Sequence, residues 1–289
     1  MAQSTIDMSN HHIQASGKAE NELWMTIQEE ASDCVSHEIL LSKHLNFFVL
    51  AHPSLKHALA FSLAMKLASA ALDSDALYNI FMESMQSSTE IVDGVCADLR
   101  AVKERDPVCS TFCHCLLNFK GFQACQVHRI AHYLWNHGKK TLACVLQSRS
   151  SEVFGVDIHP AARIGKGILL DHAAGVIIGE TAVVGDNVAI LHGVTLGGTG
   201  KQGGDRHPKI GSGVLIGARA SIIGNITVGE DAKIGAGALV LTEVPPRTTA
   251  VGRPARLVGG RINPTIHKEP PIETMDHLAY VSDWCHYVI

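Results

Sequence analysis

The chain has 289 residues, 46% of them hydrophobic, which is ample for one large domain or two ordinary ones and excludes a disordered chain. Lys and Arg number 24 against 28 Asp and Glu, and a formal charge of −4 argues against a partner role on nucleic acid or an anionic membrane. The longest apolar stretch, residues 45 to 72, is broken by His52, Pro53, Lys56, His57 and Lys66, each costly in hydrocarbon, so no membrane span is expected.

The first thirty residues hold no apolar run of signal-peptide length, and up to Leu23 the only basic residue is Lys18. Residues 1–20 are therefore expected to be disordered and the address cytoplasmic. Eight cysteines (Cys34, Cys96, Cys109, Cys113, Cys115, Cys125, Cys144 and Cys285) show no paired spacing, which fits free thiols in a reducing compartment. Over residues 21–150 apolar side chains recur at helical spacing, as in Leu41, Leu45 and Phe48 and again in Leu59, Leu63 and Leu67. Asp73-Ser74-Asp75 offers caps before Leu77, Ile80 and Phe81, so this part is expected to be α-helical. Its Met and aromatic side chains read as helix–helix core rather than a cofactor pocket. Asp106 precedes Pro107 in the order of an N-cap and a first-turn proline, and capping explains it as well as a binding role does. The cluster Cys109, Cys113, His114 and Cys115 has no paired CxxC and no downstream match, so no metal is expected.

Composition changes abruptly after residue 150. Between residues 155 and 260 lie 22 of the 26 glycines, while all 15 aromatics and all eight cysteines fall outside. The helical period gives way to a period of six. Aliphatic residues occupy Ile158, Ile164 and Leu170, then Ile178, Val184, Ile190 and Leu196, then Ile210, Ile216, Ile222, Val228, Ile234 and Val240. A six-residue unit suits a brief strand and a turn, and three units close a coil of about 18 residues, so residues 151–260 are expected to stack as a parallel β-helix. The whole is a two-part α+β chain, helices first and coil second.

The register slips twice. Leu170 to Ile178 is a step of eight, and Leu196 to Ile210 is a step of fourteen that contains a glycine-rich excursion. That excursion fails as a phosphate loop, because Thr195 stands where the first glycine belongs and Gln202 where a Ser or Thr would bind magnesium. Both insertions carry titratable residues, and Asp157, Asp171, His172, Arg206 and His207 gather around them as candidates for one shared crevice. A neutral imidazole held by a carboxylate removes a proton from a hydroxyl near pH 7, and an Arg-His pair opposite it suits a carboxylate substrate.

Here the chain resembles a known family. Asp157-Ile158-His159-Pro160, Leu170-Asp171-His172, the stretch from Thr195 to Lys201, Gly204-Asp205-Arg206-His207-Pro208-Lys209 and Gly252-Arg253-Pro254-Ala255 together are similar to serine O-acetyltransferase. The resemblance implies a left-handed β-helix of hexapeptide repeats and transfer of acetyl from acetyl-CoA to L-serine, the first step toward cysteine. It implies His172 as general base and Asp157 as the carboxylate that orients it. Asp106, Asp171, Arg206 and His207 match the serine-binding residues, and Gly198, Thr199, Ala218, Lys233 and Ala236 the coenzyme A groove. Acetyl-CoA is then a co-substrate, with no permanently bound cofactor. The same likeness implies that the helical part serves oligomerisation in a homohexamer, a dimer of trimers with substrate sites between neighbouring prisms. Arg219, Lys233, Arg247, Arg253 and Arg256 are the basic residues at hand for the coenzyme's phosphates.

His172 and His192 each stand two residues past an inward slot, twenty apart, one coil plus the two-residue insertion. His192 is thus expected one rung along, as a cleft neighbour or as an idle surface histidine. Residues 261–289 leave the repeat as a flexible tail stiffened by Pro264, Pro270 and Pro271 and ending in Ile289. By the resemblance, Ile289 inserts into O-acetylserine sulfhydrylase, and capture of a terminal carboxylate is a recurring mode of recognition. Other readings are a sugar or antibiotic acceptor on the same coil, a zinc lyase, and a scaffold that only presents its tail.

Overall fold

A computed structural model of the chain describes residues 2–200 and 203–276, with the side chains of 2–16 excepted. The helical part begins with α1 (Ala2–His37) and continues through a short 3-10 turn (Ile39–Leu41), α2 (Ser42–Leu45) and a π-turn (Asn46–Leu50). There follow α3 (Leu55–Leu67), α4 (Ser74–Ser87), α5 (Thr89–Arg105), α6 (Phe112–Asn118), α7 (Lys120–Asn136) and α8 (Lys140–Phe154). The stretch 1–20, expected to be disordered, belongs to α1 from Ala2 onward. It contains no proline, and Gly17 is its one glycine, so nothing in the backbone interrupts a helix there.

Asp73 caps α4 as its sequence suggests, its Oδ2 accepting from Ala76 N at 2.9 Å. Asp106 does otherwise. It closes α5 instead of opening α6, and its Oδ1 accepts from Val108 N at 2.9 Å; the N-cap of α6 is Thr111, whose hydroxyl accepts from His114 N. Leu63, Phe81, Leu99, Leu116, Phe122 and Ile130 are buried between the helices, with Met82 and Met85 among them, so these Met and aromatic side chains are core, whereas Met25, Phe47 and Met65 are exposed. Among the described residues seven cysteines are free thiols, and burial pushes those of Cys96 and Cys113 up to about 12.

Gly155, in the left-handed region at φ 71°, ends α8 and turns the chain into the coil. The strands are β1 (Val156–Ile158), β2 (Arg163–Ile164), β3 (Leu169–Asp171), β4 (Val176–Ile178), β5 (Val183–Val184), β6 (Ala189–Leu191), β7 (Thr195–Gly197) and β8 (Lys209–Ile210). They continue as β9 (Leu215–Ile216), β10 (Ser221–Ile223), β11 (Thr227–Val228), β12 (Lys233–Ile234), β13 (Leu239–Val240), β14 (Thr249–Val251) and β15 (Arg256–Leu257). Every third strand pairs in parallel, giving a prism with three faces: β1-β4-β7-β10-β13, β2-β5-β8-β11 and β3-β6-β9-β12-β14, with β15 antiparallel at the end of the third. The slots align as the period requires. Ile158 pairs with Ile178, Ile178 with Leu196, Leu196 with Ile222 and Ile222 with Val240, so the register passes both insertions unbroken. Twelve of the thirteen slots are buried, and the thirteenth, Ile164, packs partly buried on the same core. Stacking such units buries a continuous aliphatic column that no single coil could make alone.

The two halves lock through a buried ion pair. Asp98 on α5 meets Arg129 on α7, with Nη2 2.7 Å from Oδ2. The pair also reaches the coil: Asp98 Oδ1 accepts from Ile168 N, and Arg129 donates to the Gly165 carbonyl. Residues 261–276, expected as part of a flexible tail, are docked on the third face. Ile266 bridges to Thr248, Arg247 donates to the carbonyls of His267 and Lys268, and Ile272 is buried in α9 (Pro271–Thr274). The prolines stiffen the segment, and these hydrogen bonds together with the buried Pro271 and Ile272 supply the docking.

Candidate functional site

The titratable residues collect at two corners of the prism. Between the third and first faces, the step of eight makes a bulge over residues 171–175. His172 and Ala173 are left-handed there at φ 53° and 59°, a conformation that costs non-glycine residues roughly 1–3 kcal/mol each. Neighbouring backbone holds the bulge in place: Gly175 N donates to the Gly155 carbonyl at 2.7 Å and Gly193 N to that of Ala174 at 2.9 Å. The result thrusts His172 outward, its side chain 77% exposed, with Nε2 3.8 Å from Asp171 Oδ1. Asp157, on β1, accepts from Gln147 Nε2 of α8 at 2.6 Å. The carboxylate that stands beside the imidazole is thus that of Asp171.

Leu170, Ile190, Ile216 and Ile234 are in register. The residues two further on, His172, His192, Ala218 and Ala236, therefore form one line down the corner. His192 lies one rung from His172, the ring centroids 6.0 Å apart.

Between the first and second faces stands the other cluster, on the excursion of residues 198–208 and the turn that follows β4. Arg206 Nη2 meets Glu180 Oε2 at 2.6 Å, and its guanidinium holds the Glu180 carboxyl below the usual range. His207 is only 7% exposed, and burial, then the charge of Arg206, pushes its pKa down. Gly179 leaves the space for it: a Cβ there would stand 2.0 Å from His207 Nε2. Gly198 and Thr199 are exposed on the excursion, Thr199 against Gly224 of the next coil.

One chain does not unite the two clusters. They stand at opposite ends of the first-face strands, on the order of 10 Å apart at about 3.3 Å per residue. The shared crevice expected from the sequence is absent within the single chain, because the two insertions fall at different corners. Asp106 lies on the loop after α5. Lys233 is buried on the third face, where its Nζ donates to the Asp276 carbonyl and burial lowers its pKa. Ile289, Lys201 and Gln202 lie outside the described residues. Gln147, Glu180 and Thr181 are functional neighbours that the sequence reading missed. Among the described residues no helix is long and apolar enough to cross a membrane, and no group of three or more His, Cys, Asp or Glu side chains is placed to hold a metal ion.

Comparison with known proteins identifies this arrangement. The model of the serine acetyltransferase N-terminal region matches residues 23–127, and that of the bacterial transferase hexapeptide matches 207–242. A chloroplastic serine acetyltransferase of Arabidopsis thaliana is 55% identical over 285 residues, covering 99% of this chain and 90% of the relative. The chain belongs to the serine acetyltransferase family. A mitochondrial serine acetyltransferase of Arabidopsis thaliana is 56% identical over 269 residues, covering 93% of this chain and 69% of the relative. The soybean serine acetyltransferase apoenzyme superposes with a TM-score of 0.81 at 58% identity, covering 83% of this chain and 98% of that one. The same soybean serine acetyltransferase has been solved with serine bound, with the same TM-score and identity. As a serine acetyltransferase the chain is an acyltransferase, and the parallel coil behind a helical half is the architecture of its hexapeptide-repeat family.

Proposed function

We propose that the chain transfers acetyl from acetyl-CoA to the hydroxyl of L-serine, releasing O-acetylserine and CoA, with His172 as general base. The observation that carries this reading is the strained bulge that holds an exposed imidazole 3.8 Å from the carboxylate of Asp171. A serine hydroxyl is a poor nucleophile at neutral pH, and general-base help is worth on the order of 10² to 10⁴ in rate. Gln147 occupies Oδ1 of Asp157 and leaves Oδ2 for the imidazole, which turns toward it at little cost because the side chain is exposed. Asp157 then stabilises the imidazolium as the oxygen attacks the thioester carbon. The tetrahedral intermediate collapses by expelling the CoA thiolate, which takes up the proton held by His172.

Asp171 and Asp106 face the substrate amine, and Arg206 and His207 its carboxylate. The soybean relative solved with serine supports this choice of acceptor. Gly198, Thr199, Ala218 and Ala236 line the coenzyme groove, and Lys233, which the docked segment covers at Asp276, flanks it. Transfer is direct, within a ternary complex: residues 155–260 contain no cysteine to carry an acyl group.

Separation of the clusters on one chain supports a trimer with each site between neighbours, and trimers paired through the helical part to a homohexamer. The tail binds O-acetylserine sulfhydrylase through Ile289, and deleting Ile289 is expected to abolish that binding while acetylation persists. The address proposed is cytoplasmic; relatives are named for chloroplast and mitochondrion, and imaging of the tagged chain decides among the three. Mixing the purified chain with acetyl-CoA and L-serine should release free thiol. Thiol release with a sugar hydroxyl in place of serine, and none with serine, overturns the assignment.

A further inference from the structure

We infer that Thr181 is a positioning residue that holds His207 as the neutral tautomer with its proton on Nε2. The argument starts from the one donor whose direction is fixed, the Thr181 amide. Thr181 N donates to His207 Nδ1 at 3.2 Å, and a backbone N–H has no other option, so Nδ1 must offer a lone pair. The Thr181 hydroxyl oxygen already accepts twice, from Arg206 N at 3.0 Å and from His207 N at 3.1 Å. Its one hydrogen has two acceptors within reach, Nδ1 at 2.9 Å and the carboxylate of Asp205, whose pKa this hydroxyl helps to lower. The Thr181 amide, which can only donate, fixes Nδ1 as an acceptor, and the ring's own proton resides on the other nitrogen. Nε2 lies against two glycines: a Cβ at Gly179 would meet it at 2.0 Å and one at Gly198 at 3.0 Å.

Thr181 thus fixes the main chain of residues 206 and 207 through its hydroxyl and the hydrogen-bonding sense of the ring through its amide. Arg206, Lys209 and His159 oppose a second proton on His207, and Glu180 favours one. With Nδ1 occupied by the Thr181 amide, the ring presents a fixed Nε2–H donor to an anionic oxygen and cannot compete with His172 as a base. This inference rests on the proposed reading that His207 meets the serine carboxylate, and it explains why a neutral donor stands beside Arg206 there.

Nitrogen shifts of the full-length chain labelled with 15N-histidine test it directly, the His207 signals being identified by their loss in His207→Gln. An unprotonated Nδ1 and a protonated Nε2 are expected near neutral pH; the reverse pattern overturns the inference, whatever any variant does. For Thr181→Val the KM for serine should rise roughly tenfold with kcat little changed, the scale of one buried polar group left unsatisfied. His207 should also titrate at a higher pH in that variant, and Thr181→Ser should restore both properties. Wild-type KM and titration in Thr181→Val count against the positioning role. An unchanged serine KM in His207→Gln would overturn the serine-site reading alone, since the nitrogen shifts still decide the tautomer.

Discussion

At the scale of single residues, the chemistry turns on how little supports His172 and how much supports His207. His172 is exposed and its side chain meets Asp171 and the His192 ring at the surface, so its removal should subtract a reaction step without disturbing the fold. His172→Ala is expected to lower turnover at least about a hundredfold with acetyl-CoA affinity unchanged, checked by steady-state kinetics and calorimetry. Retained turnover would take the imidazole out of the mechanism. Buried histidines predict a second behaviour. Burial lowers the pKa of His52, His128, His159, His207 and His267, that of His128 furthest. The unfolded chain takes up these protons near pH 6.5, the folded chain only further down. Between those points the unfolded state binds more protons, so stability falls as pH drops below about 6.5 and is fully present above it. Thermal unfolding should shift downward between pH 7.5 and 5.5 by roughly 2–4 °C for each kcal/mol lost, and His128→Gln should flatten that slope. These residues also mark what sequence could and could not say. His172 was visible because it interrupts a period, whereas Thr181 and Glu180 follow an inward slot like ordinary turn residues, and only the folded excursion brings Arg206 and His207 onto them.

At the scale of elements, the coil was almost fully written in the sequence, because each rung repeats one local demand: an aliphatic side chain inward every sixth residue. The helical part announced its type and one of its caps, Asp73, but not its partners, since helix packing depends on contacts far apart in sequence. Asp98 and Arg129 illustrate this. Separated by 31 residues, they meet only when α5 and α7 pack, and then reach Ile168 and Gly165 of the coil. Asp98→Ala leaves a buried guanidinium without its counterion and an amide without its acceptor, and is expected to destabilise the chain by about 3–5 kcal/mol in urea unfolding. Replacing both partners by apolar residues of similar volume should cost less than Asp98→Ala alone. Equal losses would mean that packing, rather than the stranded charge, sets the cost. The docked segment of residues 261–276 escaped the sequence reading for a related reason: Ile266 and Ile272 carry no period, and their acceptor face exists only once the coil has wound.

At the scale of the whole molecule, the separation of the two clusters makes assembly part of the chemistry. The first face between the corners is open to a neighbour: Ile177, 46% exposed, stands on it between Asp157 and Thr195 of the adjoining strands. If a neighbour's prism covers that face, its Arg206 corner meets this chain's His172 corner, and each site has two owners. Subunit mixing then gives a sharp expectation. His172→Ala and Arg206→Ala chains should each be strongly impaired alone. Unfolded together and refolded as a mixture, they assort at random around the three-fold axis. A site becomes intact when an Arg206→Ala chain supplies the histidine and a His172→Ala chain the arginine, which happens at about a quarter of interfaces. Activity should return to roughly that fraction of the wild-type value, read by thiol release on oligomers shown by mass spectrometry to contain both chains. Mixed oligomers that stay inactive would mean that His172 and Arg206 serve the same site from within one chain, and the trimeric arrangement would lose its catalytic reason.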